Sequence, residues 1–420
     1  MSPADTHAAI NAIHRIESAK LIAGLTRMVR DVGVAEELAQ DALVTALERW
    51  PESGVPDNPG AWLMATAKHR AIDRLRRGRL SEEKHDEIGH EMEARQEMAT
   101  PDLDSAIDED VGDDMLRLVF ISCHPVLSTE ARVALTLRLL GGLTTAEIAR
   151  AFLVPEPTIA QRIVRAKRTL AEAHVPFEVP VGEEREARLS SVLQVIYLVF
   201  NEGYSATAGD DWVRPALCED ALRLGRILAE LAPRESEVHG LAALMEIQAS
   251  RFAARTGPSG EPILLLDQDR GRWDQLLIRR GLAALDRAAA LGAPPGPYLL
   301  QASIAACHAR ARTAEETDWA LIVSLYDALG EIAPSPVVEL NRAVAVSMAA
   351  GPAAGLAIVD ALASEPSLKS YHLLPSVRGD LLKKLGRLEE ARAEFDRAAS
   401  LTRNAREREL LLERAAECSA

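Results

Sequence analysis

Aromatic side chains are scarce in this sequence, only 4% of residues, and the commonest residues are Ala, Leu, Arg and Glu. That balance argues against a strand-rich protein and for an all-α one. Cysteine is also sparse. Cys123, Cys218, Cys307 and Cys418 lie far apart with no CxxC spacing, which argues against a zinc site and a disulfide framework. No apolar run approaches the length that crosses a bilayer, and the N-terminus carries no basic-then-apolar leader. The expectation is a soluble, cytoplasmic chain. Catalytic signatures are missing as well: no nucleophile–base pair, phosphate-binding glycine loop or metal-ligand spacing stands out. Neither enzymatic activity nor a cofactor is expected. Finally, positive charge is lacking overall, with a formal net charge of -15.

That deficit is uneven. Residues 61–79 hold six basic side chains against Asp73 alone. Residues 82–114 hold fourteen acidic side chains against Lys84 and Arg95. Residues 158–170, TIAQRIVRAKRTL, hold four basic side chains and no acid. A low total therefore leaves room for nucleic-acid binding by clustered cations. A lone basic run would read as a solvated helix face; two runs on recognisable helices shift the balance toward DNA.

Hydrophobic spacing places those helices. Residues 10–30 and 34–50 are expected to be helical, the second on Val34, Leu38, Ala42, Leu43, Ala46 and Trp50. PESGVPDNPG (51–60) reads as a loop, with Asn58 as a cap and Pro59 in the first turn of a helix running to about Arg77. Residues 81–113 read as an acidic, mobile linker with some helix. A helix follows Ser128 and stops at Gly141–Gly142. Thr144 and Glu147 have capping-box spacing. After PEP (155–157), Ile159, Ile163, Ala166 and Leu170 make one apolar stripe, with Gln161, Arg162, Arg165 and Arg168 opposite. This is the sequence form of a helix-turn-helix whose second helix faces DNA.

VAEELAQDALVTALERW with NPGAWLMATAKHRAIDRLRR, followed by LSTEARVALTLRLLGGLTTAEIARAFLVPEPTIAQRIVRAKRTL, resembles regions 2 and 4 of extracytoplasmic-function (group IV) RNA polymerase sigma factors. The resemblance covers about residues 10–175. It implies a region 2 domain over 1–80, the linker over 81–113 and a region 4 domain over 114–178. It implies that Glu37, Gln40 and Asp41 contact core RNA polymerase. It implies that Trp62, Lys68, Arg70, Arg74, Arg76 and Arg77 meet the -10 promoter element, Trp62 chiefly as a packing residue. It implies that Thr158, Gln161, Arg162, Arg165 and Arg168 read the -35 element, with Lys167 nearer phosphate. Two positions depart from the family pattern: His69 stands where Asn is common, and Leu153 where the turn often has Gly.

Residues 185–420 exceed what such a factor needs. LLKKLGRLEEARAEFDRAASL resembles the second half of a tetratricopeptide repeat, with Gly386, Ala391, Phe395 and Ala398 at that repeat's spacing and Arg403 where its closing Pro would fall. With VFNEGYSATAGDDW (199–212), LLLDQDRGRWD (264–274) and PGPYLLQASIAACHA (295–309), it resembles the sigma-factor subgroup bearing a TPR-like extension. That subgroup implies regulation in cis and a protein or peptide partner on a concave helical surface. Asn201, Glu202, Gly203 and Tyr204 form a candidate regulatory loop, or else a tight inter-helix bend with Tyr204 buried. A different reading is a repeat scaffold or DNA-binding regulator acting without polymerase; the Glu37–Gln40–Asp41 surface separates the two.

Overall fold

Good helix formers run through the chain with few interior breaks, and the computed structural model is accordingly helical. It describes the backbone of residues 3–86, 111–258 and 260–419. Among these residues there are nineteen α-helices, three 3₁₀ turns and one pair of two-residue strands. The chain divides into two compact units, Met1–Val195 and Ile196–Ala420.

The first unit opens with α1 (Pro3–Val29), α2 (Val32–Ser53) and α3 (Pro59–Asp86). Asp31 caps α2 by accepting from the Val34 N–H at 3.0 Å. Asn58 caps α3 through the Ala61 N–H at 3.1 Å, as its place before Pro59 predicts. Leu21, Leu25, Leu38, Ala42, Ala46, Trp50, Leu63 and Ala67 are buried between the three helices. The α3 backbone continues to Asp86, past the expected end near Arg77. Nothing in LSEEKHD stops a helix, and Gly78 alone costs only about 1 kcal/mol relative to Ala. Most of the acidic linker, residues 87–110, lies outside the described residues.

Next come α4 (Val111–Ser122), α5 (Thr129–Leu139), α6 (Thr145–Ala151) and α7 (Glu156–Glu172). Ser128 caps α5, and Thr144 with Glu147 forms a complete capping box on α6. Cys123 and His124 follow the end of α4, with Cys123 buried. α8 (Gly182–Tyr204) begins in the first unit. Its Arg188 donates to the Phe120 carbonyl at 3.2 Å and its Ser191 to the Cys123 carbonyl at 2.8 Å.

The second unit comprises α9 (Pro215–Leu231), α10 (Ser236–Ala249), α11 (Phe252–Arg255), α12 (Gln275–Ala290), α13 (Pro297–Arg310) and α14 (Trp319–Ile332). Then follow α15 (Pro336–Ala350), α16 (Pro352–Leu362), α17 (Leu373–Lys384), α18 (Leu388–Leu401) and α19 (Ala405–Glu417). In this unit α10 packs on α9, α12 and α13, and from α13 to α19 each helix packs on the next. Ala391, Phe395 and Ala398 of α18 are all fully buried. The strands β1 (Ala208–Gly209) and β2 (Arg403–Asn404) pair in parallel. Asn404 fixes the junction by donating to the carbonyls of Ala206 at 3.1 Å and Asp211 at 2.8 Å.

Residues 201–204 are not a loop, which corrects the expectation for the candidate regulatory segment. Asn201, Glu202, Gly203 and Tyr204 form the last turn of α8. Gly203 serves close approach rather than a bend: a Cβ there would lie 2.7 Å from the Cys218 backbone nitrogen and 2.8 Å from its sulfur. Glu202 is tied to Arg214 at 2.6 Å, and Tyr204 is only half-buried.

Candidate nucleic-acid interface

The helix-turn-helix is built by α6, residues 152–155 and α7. Ile159, Ile163, Ala166 and Leu170 are the buried residues of α7, the same stripe that the spacing predicts. Gln161, Arg165 and Arg168 are consequently exposed, while Thr158 and Arg162 are half-buried. The acid-free face ends at Glu172, whose carboxylate lies 3.2 Å from Arg168. In the turn, Leu153 adopts φ 51° with its side chain 54% exposed. It takes up the left-handed conformation that glycine adopts without strain.

Lys167 differs from its neighbours. Its ammonium pairs with Glu36 of α2, a carboxylate only 4% exposed. Arg138 of α5 reaches the same carboxylate at 2.6 Å, and Gln40 donates to it at 2.7 Å. One buried anion on α2 therefore holds two cations from the helices around the helix-turn-helix. Burial alone would raise the Glu36 pKa, but Lys167 and Arg138 outweigh it and hold the carboxyl below its usual range. Sequence reasoning passed over Glu36, because Arg138 stands 102 residues away. The available signal was its spacing, four residues after buried Val32 and three before buried Ala39.

The expected polymerase and promoter residues of α2 and α3 prove to be neighbours. Arg74 lies 3.1 Å from Glu37, and Arg70 lies 3.1 Å from Asp41. All four side chains remain between 43% and 65% exposed, so the pairs are accessible to a partner. Arg70 also donates to the Thr45 hydroxyl at 2.9 Å. Arg76 is exposed and Lys68 half-buried, while the Arg77 side chain lies outside the described residues. Trp62 is half-buried and packs edge-on against the buried Trp50, with ring centroids 5.2 Å apart. It also borders a shallow cleft of about 480 Å³ with Glu48, Arg49, Glu52 and Ser53.

A three-helix module followed by a helix-turn-helix with a basic outer face defines a two-module DNA-binding architecture. Comparison with known families names the modules. Residues 17–80 match Sigma-70 region 2, residues 117–170 match Sigma-70 region 4, and residues 188–289 match a family of unknown function, DUF6596. The chain is 32% identical over 153 residues to the ECF RNA polymerase sigma factor SigK of Mycobacterium ulcerans, covering 35% of this chain and 75% of that protein. It is 27% identical over 181 residues to a probable ECF RNA polymerase sigma factor, SigI, of Mycobacterium tuberculosis, covering 43% of this chain and 60% of that one. An uncharacterized protein of Rhizobium meliloti is 46% identical over 384 residues, covering 91% of this chain and 89% of its own length. No solved structure matches. The chain belongs to the ECF RNA polymerase sigma factors, a non-enzymatic family, and carries a C-terminal DUF6596 extension. Among the described residues no helix is long and apolar enough to cross a membrane.

Proposed function

We propose that this chain binds core RNA polymerase and directs promoter-specific transcription initiation in the cytoplasm, where polymerase and DNA meet. In this reading Glu37, Gln40 and Asp41 contact polymerase. Trp62 and the α3 cations Lys68, Arg70, Arg74, Arg76 and Arg77 serve the -10 element. Thr158, Gln161, Arg162, Arg165 and Arg168 read the -35 element, and Lys167 approaches a phosphate only once it leaves Glu36. The observation that carries the reading is α7: a buried apolar stripe, and Gln161, Arg165 and Arg168 exposed with no acid between Glu156 in the first turn and Glu172 at the end. Such a face supplies both phosphate neutralisation and base-edge contacts in a major groove.

The remaining residues, from about 185, act in this reading as a TPR-like regulatory domain in cis, with a protein or peptide as partner. The supporting observation is the succession of helices from α13 to α19, each packed on the next, the usual basis of a repeat surface.

The test is capture of purified core polymerase by the intact chain, by a Glu37→Ala, Gln40→Ala, Asp41→Ala triple variant and by residues 1–195. The fragment extends to 195 because Arg188 and Ser191 seal the carbonyls of Phe120 and Cys123. The Glu37 and Asp41 pairs are exposed and contribute about 0–1 kcal/mol each, so the triple variant is expected to stay folded. Capture lost in that variant supports the assignment, and stronger capture by the fragment supports masking by the C-terminal half. No capture by either the chain or the fragment would overturn the polymerase reading.

A further inference from the structure

Aromatic residues are rare in this chain, yet several gather in the second unit on a ladder with three arginines. Arg255 stacks on Tyr204, its guanidinium carbon 3.6 Å from the ring centroid, and lies 5.5 Å from that of Trp212. Arg251 lies 5.6 Å from the Tyr204 ring and 5.8 Å from the Trp273 ring. Arg270 lies 5.1 Å from the other contact of the series, Trp273. Cations and rings thus alternate from Trp212 to Arg270.

The hydrogen bonding is one-sided. Arg270 is anchored by the carbonyls of His308 at 2.7 Å and Ala311 at 2.8 Å, and by Thr317 at 3.0 Å. Arg255 makes one bond, to the Tyr204 carbonyl at 2.9 Å. Among the described residues the Arg251 side chain makes ring contacts only, although it belongs to a residue just 9% exposed. Nε of Arg251, Nε of Arg255, the Tyr204 hydroxyl and the indole nitrogens of Trp212 and Trp273 are buried without hydrogen-bond partners. Every one of these groups can donate, and no carboxylate pairs with Arg251 or Arg255 among the described residues. Ring faces attract a cation but do not neutralise it, and a buried charge without a counter-charge is costly. The missing component is an acceptor carrying negative charge. Burial, and the nearby charges of Arg255 and Arg270, press the Arg251 pKa downward, as expected for a cation waiting for an anion.

We propose that the Arg251–Arg255 pair, walled by Tyr204, Trp212 and Trp273, is a binding site for a small oxyanion, a phosphoryl or carboxylate group. A guanidinium presents parallel N–H donors that match either group bidentately. The residues of the site belong to the second unit and those proposed for promoter and polymerase to the first, and its test reads binding rather than transcription.

The experiment titrates the full chain with sodium phosphate and, separately, with sodium succinate, against sodium chloride at matched ionic strength. Tryptophan fluorescence and the thermal midpoint are followed, because Trp212 and Trp273 form the wall. The expected result is a saturable change with at least one oxyanion, absent with chloride. Arg251→Met is expected to abolish it, and Arg251→Lys to weaken it about tenfold or more, because Lys cannot make the bidentate contact. Without anion, Arg251→Met should melt no lower than the parent, since it removes an uncompensated buried charge. Response to phosphate alone assigns a phosphoryl ligand, and response to succinate alone a carboxylate. A purely structural ladder predicts the opposite pattern, a lower midpoint for Arg251→Met and no saturable response to either anion. That pattern, or an unchanged response in Arg251→Met, would overturn the proposal.

Discussion

Replacing Glu36 with Gln keeps the shape and a hydrogen-bonding oxygen but deletes the charge that Arg138 and Lys167 share. Removing one partner of a buried ion pair costs about 3–5 kcal/mol, because the other partner stays desolvated. Here the two cations retain 21% and 22% of their side-chain exposure, so water compensates part of the loss. About 2–4 kcal/mol is the expected cost in the first unit. Hydrogen exchange of the full chain, read by mass spectrometry over α2, α5 and α7, localises the effect. A loss of about 2 kcal/mol corresponds to roughly thirtyfold faster exchange through local opening. The triple variant Glu36→Leu, Arg138→Met, Lys167→Met should recover most of the protection, since a neutral apolar cluster avoids the desolvation cost entirely. The pH dependence has a fixed sign. The folded pKa of Glu36 is depressed, so its contribution is complete above the ordinary carboxylate range and fades as pH falls through the folded value. Glu36→Gln should therefore matter fully at pH 7. Exchange within about twofold of the parent at that pH would refute the idea that this triad holds α2 to the helix-turn-helix region.

Three other outcomes are expected. Leu153→Gly should stabilise the helix-turn-helix by about 0.5–1 kcal/mol, as relief of left-handed strain exceeds the entropy cost of glycine; a lower thermal midpoint would contradict this. Arg165→Ala and Arg162→Ala should each weaken binding to cognate promoter DNA by about 1–3 kcal/mol if they read bases. A loss equal on all sequences, measured by titration at fixed salt, would assign them to phosphates, and no loss would displace α7 as the reading helix. His308 is pushed down to about 4 by burial and by the charges of Arg251 and Arg270. Its neutral form favours the folded state, so the second unit should lose up to about 3 kcal/mol as pH falls from 6.5 toward 4. His308→Gln should flatten that part of a denaturation-versus-pH curve.

Much of the helix framework was legible because its determinants are local. The caps at Asn58, Ser128 and Thr144 act within three residues, and the stripe Ile159–Ile163–Ala166–Leu170 follows from helical periodicity alone. The basic outer face of α7 follows from the same periodicity, since residues that cannot be buried unpaired must face out. The family motifs in regions 2 and 4 are likewise contiguous segments.

What tertiary structure decided concerns pairs distant in sequence. Glu36 lies outside the charge runs and Lys167 within the basic one, and only the tertiary structure made one anion serve two cations. The segment 201–204 looked like a loop because it contains Gly, yet that Gly lets α8 approach α9 at Cys218. Likewise nothing local in the sequence marks Arg251, Arg255 and Arg270, which only folding gathers among Tyr204, Trp212 and Trp273. The physical reason is common to all three. Helix formation is set by neighbours along the chain, whereas the cost of a buried charge is set by whatever else is brought into the same volume.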